Sequence, residues 1–305
     1  MTVSASLVKD LREKTGAGMM DCKKALVETN GDFEAAVDWL RAKGLAAAAK
    51  KADRVASEGL TAIAVRGTKG AAVEINSETD FVSRNDTFQK LVREVAEIAV
   101  DFGNIDALKS AKAKSGKSVE DEIIANVATI GENLTLRRMQ ALSVNDGVIA
   151  SYIHNASADN MGAISVLVAL ESTGDKNRLM EVGKQIAMHI AAARPQSLNK
   201  DAVDPAIIQR EKDIFTEQSR ASGKPDNIIE KMIEGRIRKF LEEIVLLDQI
   251  FVIDGKSKIS EVVTELGKEI GAPVELKSYV RFEIGEGIEK EEKNFADEVA
   301  AVAGK

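Results

Sequence analysis

The sequence is poor in the residue types from which metal sites and disulfide frameworks are built. Its 305 residues include one cysteine, Cys22, and two histidines, His154 and His189. A single cysteine rules out an intrachain disulfide and any zinc site made of several cysteines. With only two histidines, few metal-binding or general-base arrangements remain.

Long apolar segments are also missing. The longest run without Asp, Glu, Lys or Arg covers residues 147–158, whereas a helix that spans a bilayer needs ~20 mostly apolar residues. The amino terminus has no apolar stretch of signal-peptide length, because charged residues begin at Lys9. These absences predict a soluble, cytoplasmic chain that does not contact membranes.

Positive charge is in the minority. Lys and Arg total 42 and Asp and Glu total 49, which gives a formal net charge of −7. Proteins that bind the nucleic-acid backbone rely on clustered Lys and Arg, so this balance argues against direct nucleic-acid binding as the main activity. A hydrophobic fraction of 44% and a charged fraction of 30% are typical of a folded domain. A chain of this length corresponds to roughly two globular units.

The first 55 residues have the pattern of three short helices. Breaks fall at residues 16–18 and at Asn30-Gly31, and Asp32 is placed to cap the third helix. The pattern resembles the ubiquitin-associated type of three-helix module. The Ala-rich stretch 41–54 then reads as a helical or flexible linker to the next unit.

From residue 56 the pattern changes to strands followed by a helix, and it occurs twice. Strand-like segments at 60–65 and 71–75 precede a helix whose apolar residues recur every three or four positions from Phe88 to Ala99. The same order returns with strands at 147–154 and 164–170 and a helix at 179–192. We therefore predict an α+β fold with a duplicated β-hairpin and helix core. Its first half covers 56–145, where a helix at 119–129 and a strand at 133–144 lie between the copies.

Residues 201–245 differ from both copies. Two amphipathic arms flank a turn-rich segment at 221–226, which predicts an antiparallel helical hairpin that projects from the core. The second half of the core would then comprise 146–200 and 246–282, with a helix at 259–270 and a strand near 279–282. Residues 283–305 form a carboxyl-terminal module whose acidic tail begins at Glu286.

Sequence motifs for known chemistry fail on spacing. Two Gly-Lys-Ser fragments, at 116–118 and 255–257, lack the upstream glycine of a phosphate-binding loop. Cys22, inside a predicted helix, is expected to be a packing residue. We also expect His189 to be a core or surface histidine without a catalytic role.

The segment Asn76-Ser-Glu-Thr-Asp-Phe-Val-Ser-Arg-Asn85 is unusual because an aromatic residue lies in a polar connection. It leaves an apolar strand and precedes a helix that Asn85 or Asp86 could cap. Phe81 could fold back to seal that helix against the sheet. Alternatively, it could be an exposed wedge beside the Asp80 carboxylate that enters a pocket of a partner. Composition does not distinguish the two.

Several motifs, in order along nearly the whole chain, carry a family resemblance. They are Ser6-Leu-Val-Lys-Asp-Leu-Arg12, Thr15-Gly-Ala-Gly-Met-Met-Asp-Cys-Lys-Lys-Ala25, Thr79-Asp-Phe-Val82, Ile186-Ala-Met-His-Ile-Ala-Ala192, Ser222-Gly-Lys-Pro225 and Arg281-Phe-Glu-Ile-Gly-Glu-Gly-Ile-Glu289. Together they resemble the elongation factor Ts family, the guanine nucleotide exchange factors of bacterial elongation factor Tu.

The resemblance implies a function without covalent chemistry and without a cofactor of its own. A member of this family binds elongation factor Tu, in its GDP-bound and nucleotide-free forms, and accelerates the loss of GDP. The motif Thr79, Asp80, Phe81 and Val82 would enter the partner's nucleotide-binding domain and disturb its Mg²⁺ site. The resemblance also gives an amino-terminal docking face, formed by Leu11, Arg12, Met19, Met20 and Lys23. It further implies that His154 contacts another partner domain, that the 201–245 hairpin is a coiled coil, and that the carboxyl-terminal segment also touches the partner.

Several alternatives remain open from the residues alone. Met20 could be partly core, and His154 could be an edge-strand histidine that faces solvent. An enzyme could use His154 and Asp80 as an acid–base pair in a cleft between the copies. A passive binding module could instead use residues 1–55 to hold, for example, a ubiquitin-like ligand.

Overall fold

The computed structural model of the chain describes residues 3–15, 17–220 and 225–289. It combines helices and strands, which confirms the predicted α+β class. Within the described residues the α-helices are α1 Ala5–Thr15, α2 Met19–Glu28, α3 Phe33–Ala49, α4 Asp86–Ala99, α5 Ile105–Ser110, α6 Val119–Ile130, α7 Lys176–Ala193, α8 Pro205–Arg220, α9 Asp226–Ile244 and α10 Ile259–Glu269. The strands there are β1 Glu58–Arg66, β2 Lys69–Ser77, β3 Thr135–Ser143, β4 Gly147–Ala158, β5 Met161–Glu171 and β6 Glu275–Glu283.

Helices α1 to α3 pack around a small apolar core. Its buried members are Val8, Leu11, Cys22, Ala25, Leu26 and Ala36. Helix α2 ends where Asn30 and Gly31 take positive φ angles, and the Asp32 side chain caps α3 by accepting from the Ala35 amide at 3.0 Å. The likeness to the ubiquitin-associated module stays a prediction.

Most of the predicted linker belongs to a helix. Helix α3 continues without a break to Ala49, because its Ala-rich second half has high helix propensity. This second half packs on α6, where the Gly44 position lies within van der Waals contact of Ala128 and Arg41 pairs with Asp121 at 3.3 Å. The amino-terminal helices therefore rest directly on the first half of the core.

The six strands form two three-stranded antiparallel halves. β2 pairs with β1 through a two-residue turn at Gly67 and Thr68, and β3 pairs with the other edge of β2. In the second half β4 and β6 flank β5. Only two residue pairs, Thr61 with Gly162 and Ala62 with Met161, join β1 to β5. Each half therefore contains three strands, and the segment predicted to lie between the copies supplies the third strand of the first half.

Both faces of each three-stranded half are covered. The outer face of the first half packs on α4, α5 and α6, and that of the second half packs on α7 and α10. The inner faces meet each other through a third apolar cluster of Ile63, Ala72, Leu142, Val144, Ile149, Leu167, Ala169, Val280 and Phe282. Successive residues of a strand point to opposite faces, so alternate residues of β1 and β5 contribute to different clusters.

Helices α8 and α9 pack on each other as an antiparallel pair. The Arg236 guanidinium lies 5.1 Å from the centre of the Phe215 ring, and Ile229 and Ile237 are buried. The predicted turn at 221–226 falls largely outside the described residues, as does the acidic tail from residue 290 onward. The projection of this hairpin and the proposed domain boundaries stay predictions.

Candidate partner-binding site

The Thr79–Val82 motif lies on the short connection between β2 and α4. Residues Asp80–Arg84 form one 3₁₀ turn, and α4 begins at Asp86. Of the two predicted caps, Asn85 is the one used: its side-chain oxygen accepts from the amides of Thr87 at 2.9 Å and Phe88 at 3.1 Å. The motif is therefore held between a strand end and a capped helix start.

Adjacent apolar residues of this turn have opposite environments. Phe81 is 78% exposed, whereas Val82 is 5% exposed and packs in the cluster that includes Leu60 and Phe88. A 3₁₀ turn has three residues per turn, which directs neighbouring side chains about 120° apart. Val82 thus seals the turn against the core, and the alternative that Phe81 folds back is wrong. The Val82 side chain is buried in this conformation, and its predicted contact with the partner stays a prediction.

Side-chain hydrogen bonds fix the shape of the turn. Ser83 Oγ donates to the Asp80 carbonyl oxygen at 2.6 Å, and Gln89 Nε2 donates to the Ser83 carbonyl oxygen at 2.9 Å. The Asp80 side chain is exposed, and among the described residues its carboxylate has no hydrogen-bond or ion-pair partner. The turn therefore presents an aromatic ring and an unpaired carboxylate side by side on a rigid support.

Thr79, the residue before the turn, is hydrogen-bonded to the loop that follows α6. Thr79 donates its amide N–H to Glu132 Oε2 at 2.9 Å and its hydroxyl to Glu132 Oε1 at 2.6 Å. The neighbouring carboxylate of Glu78 accepts from the Asn133 amide at 2.6 Å and pairs with Arg54 at 3.3 Å. Sequence reasoning did not identify Glu132, because it lies 53 residues from Thr79 in the chain.

The predicted docking face of the amino-terminal helices is only partly present. Met19 and Met20 are 47% and 74% exposed, and the side chains of Arg12 and Lys23 are exposed as well. Leu11 is fully buried in the small core of this conformation, and its predicted contact with the partner stays a prediction. The alternative that Met20 is partly core is wrong, because its side chain is exposed.

Helix periodicity explains this arrangement and adds one residue. The buried side of α2 is formed by Cys22, Ala25 and Leu26. At 3.6 residues per turn, positions 20, 23 and 27 lie on the opposite side. Val27 is 56% exposed there, next to Met20 and Lys23 on the helix surface, and it could have been found from the same spacing.

His154 lies exposed on β4, which is an edge strand. Its Nδ1 atom is 3.1 Å from the Tyr152 hydroxyl, so its ring has a neighbour within its own strand. Among the described residues no hydrogen bond or ion pair joins His154 to Asp80, and neither residue lines one of the principal cavities. The structure does not bring together the acid–base pair that an enzyme would need.

The remaining histidine and the cysteine are packing residues, as predicted. Fully buried His189 accepts the Val252 amide on Nδ1 at 3.3 Å, so its Nε2 carries the proton and donates to Gln249 Oε1 at 2.9 Å. Burial lowers the pKa of His189 and raises the pKa of the Cys22 thiol. The described residues contain no group of three or more His, Cys, Asp or Glu side chains placed to hold a metal ion. Over the same residues, no helix has both the length and the apolar character needed to cross a membrane.

Comparison with known proteins agrees with the motifs. A family model described as elongation factor TS matches residues 78–286, which begins at the exposed turn. Elongation factor Ts of Rickettsia felis is 59% identical over 303 residues, covering 99% of this chain and 98% of that protein. Elongation factor Ts of Paramagnetospirillum magneticum is 61% identical over 304 residues, with 99% and 97% covered. The protein of the same name from Rhodospirillum centenum is 58% identical, with 99% of each chain covered. This chain belongs to the elongation factor Ts family.

Proposed function

We propose that the chain binds elongation factor Tu and accelerates the release of GDP from it, without covalent chemistry and without a cofactor of its own. Family membership makes the chain a translation elongation factor. The observation that carries the finer proposal is the rigid turn on which exposed Phe81 stands beside the unpaired Asp80 carboxylate.

Phe81 is the side chain that gains most from entering a partner. Full burial of a phenylalanine side chain stabilises a complex by ~1.5–3 kcal/mol. The ring stands on a turn that is already ordered, so little conformational entropy is lost when it binds. This gain offsets part of the cost of displacing a helix in the nucleotide-binding domain of the partner.

The displacement acts on the Mg²⁺ ion that the partner holds against its nucleotide. Mg²⁺ demands near-ideal octahedral geometry and bridges phosphate oxygens. A small shift of its ligands therefore weakens the hold on GDP strongly. The Asp80 carboxylate, placed next to the inserted ring, adds a negative charge close to that site.

The two binding events oppose each other. Every ~1.4 kcal/mol of coupling between the chain and GDP changes the affinity of each for elongation factor Tu tenfold, and the coupling is reciprocal. GDP therefore weakens the hold of the chain as much as the chain weakens the hold on GDP. The chain speeds exchange in both directions and does not select which nucleotide rebinds.

Further contacts would supply affinity away from the nucleotide. Arg12, Met19, Met20 and Lys23 are exposed, and methionine pairs suit an adaptable protein-binding surface. We include Val27 in this amino-terminal face because it shares the exposed side of α2. His154, exposed on the edge strand β4, would touch a second domain of the partner.

The test is the release of a fluorescent GDP analogue from elongation factor Tu, measured over a range of concentrations of the full chain. We expect Phe81→Ala to slow the maximal release by about tenfold or more, as loss of a buried ring implies, and Asp80→Ala to slow it less. Both variants should melt as the wild type does, because both side chains are exposed. Ile253→Ala, which shortens another side chain that is about half exposed (51%), is the matched control and should change neither quantity.

Different failures have different meanings. If the wild-type chain leaves the release rate unchanged, the proposed function is wrong. If Phe81→Ala releases GDP as fast as the wild type while Met20→Ala with Lys23→Ala abolishes binding, the chain is a passive binding module of its amino-terminal helices. A collapse of the melting transition in Phe81→Ala would contradict the exposed position of the ring.

A further inference from the structure

We propose that Glu132 is a positioning residue for the 3₁₀ turn Asp80–Arg84: it fixes the direction in which the side chains of Phe81 and Asp80 point from the surface. The inference rests on the proposed function and deepens it. Its basis is the contact that Glu132 makes with Thr79, the residue immediately before the turn.

Both carboxylate oxygens of Glu132 take part in the contact. One carboxylate oxygen of Glu132 accepts the backbone N–H of Thr79 at 2.9 Å, and the other accepts its hydroxyl at 2.6 Å. Hydrogen bonds to an ionised acceptor are stronger than neutral ones, and a paired geometry adds directionality. The Thr79 side chain makes no capping bond to the turn itself, so its hydroxyl is used for Glu132. The backbone and the side chain of Thr79 are therefore oriented together.

Glu132 is itself held in place. Gly131 follows the last residue of α6 and caps the helix with a φ of +91°. The next two residues, Glu132 and Asn133, bond to Thr79 and Glu78. Asn133 is 8% exposed; its amide donates to Glu78 at 2.6 Å and its side chain donates to the Arg54 carbonyl oxygen at 2.8 Å. A carboxylate on so constrained a loop defines a fixed point for Thr79.

The exit of the turn is fixed separately. Asn85 caps α4 there, and Gln89 holds the Ser83 carbonyl oxygen. Two polar side chains restrain the entry: Ser77 Oγ donates to the Thr79 carbonyl oxygen at 2.9 Å, and Glu132 accepts from the Thr79 amide and hydroxyl. Without Glu132, Thr79 keeps only the hydrogen bond from Ser77 to its carbonyl oxygen, and its amide and side chain are released. Phe81 would then point in a wider range of directions. A partner would then have to order the turn on binding, which costs affinity and slows the displacement of its helix.

The experiment is a double-mutant cycle on GDP release from elongation factor Tu with the full chain. We expect Glu132→Ala to slow release by about tenfold, the scale of a lost charge-assisted hydrogen bond. In a Phe81→Ala background the same change should have little further effect, because Glu132 acts through the position of Phe81. A residue that only stabilises the fold would reduce release by the same factor in both backgrounds, and that result would overturn the proposal.

Two further variants sharpen the cycle. Glu132→Gln can accept the Thr79 amide on its oxygen and donate its NH₂ to the Thr79 hydroxyl, so it should release GDP within about twofold of the wild type. Glu120→Ala, an exposed glutamate at the other end of α6, is the matched control and should behave as the wild type. Failure of Glu132→Gln to restore release would contradict positioning by hydrogen bonds.

Hydrogen exchange of the free chain separates this proposal from the proposed function. Glu132→Ala should speed exchange of the Thr79 amide by about tenfold and leave amides in the middle of α4 unchanged. If the wild type does not promote GDP release but the amide effect is present, the proposed function fails and the restraint on the turn remains. If the wild type promotes release and neither the amide nor the release rate responds to Glu132→Ala, the positioning proposal alone is wrong.

Discussion

His189 is a neutral base in the folded protein, and this makes stability depend on pH. Its ring is fully buried and bonded on both nitrogens, and burial lowers its pKa from the ordinary value of 6.5. As pH falls below 6.5 the unfolded chain takes up a proton that the folded protein does not. The free energy of unfolding must therefore decrease with falling pH, by at most about 1.4 kcal/mol per pH unit for this one group.

Urea unfolding between pH 7.5 and pH 5 tests this expectation. The wild type should lose more stability over this range than His189→Gln, because the variant lacks the titrating ring. His154→Gln, which changes the exposed histidine and leaves the buried ring in place, is the matched variant. Equal slopes for the wild type and His189→Gln would show that the buried ring takes up its proton without unfolding.

At this scale the sequence identified the important motif but not the exposure of its members. Phe81 and Val82 are adjacent and both apolar, and only tertiary packing decides that the smaller side chain fills the core. The same holds for Leu11 and Met20. Both were placed on one docking face, yet the closure of the three helices buries Leu11 completely and leaves Met20 exposed. Residue type gives a preference for burial, and the neighbours in space decide it.

Among the elements, the turn after β6 makes polar and close backbone contacts with the first half of the core. The Gly285 amide donates to Glu74 at 2.9 Å, and Glu74 is a fully buried carboxylate in β2 that also pairs with Arg137 at 3.0 Å and with Arg138. Gly285 has a φ of +69°, and a Cβ atom at this position would overlap the Ser57 carbonyl oxygen. The carboxyl-terminal motif thus closes onto the first half of the core.

We expect Gly285→Ala to lower the free energy of unfolding by roughly 3 kcal/mol or more, since it combines backbone strain with a clash. Gly287→Ala is a matched control: its φ is +75°, but the nearest atom to a Cβ at this position, Arg137 Nη2, lies 3.9 Å away and causes no clash. It should cost only the strain, about 1–2 kcal/mol. Denaturant unfolding of the two variants measures the difference, and equal losses would mean that the chain moves away from Ser57 at no cost.

Regular spacing of apolar residues predicted the long elements, whereas a short helix was missed and the conformation of an Ala-rich segment was left open. Helix α4 was found because its apolar residues recur regularly from Phe88 to Ala99. Helix α5, with only six residues, was not predicted because so short a segment carries little pattern. For α3, the Ala-rich stretch 41–54 was predicted as a helical or flexible linker, since alanines give no contrast between a buried and an exposed side, and the structure shows that its first part is helical.

For the whole molecule, the sizes of the apolar cores predict unequal stability. The three amino-terminal helices share one small apolar cluster, while the two three-stranded halves and the helices that cover them share three larger ones. We expect native-state hydrogen exchange to reveal opening of α1 and α2 at a lower free energy than opening of β2 and β5. Identical opening energies would mean that the contact of α3 with α6 merges the two parts into one cooperative unit.

The face-to-face packing of the two halves was not predicted from the sequence. Strands with one solvent-exposed face alternate apolar and polar residues, but β2 and β5 are buried on both sides because each is covered twice. Such runs indicate burial without saying which partner covers which face. The pairing of β1 with β5 involves only two residue pairs, which is too short a contact to be predicted from the sequence.

The side chain of Asn133 holds the segment that leads out of α3, through the carbonyl oxygens of Arg54 at 2.8 Å and Ala52 at 3.4 Å, and its own amide holds Glu78. One asparagine therefore links the segment that follows the amino-terminal helices to the residue that precedes the Thr79–Val82 motif. In the proposed complex with elongation factor Tu, docking of the amino-terminal face would bring Phe81 close to its own binding site. The effective local concentration of Phe81 there would be governed by this fixed geometry and not by a flexible tether.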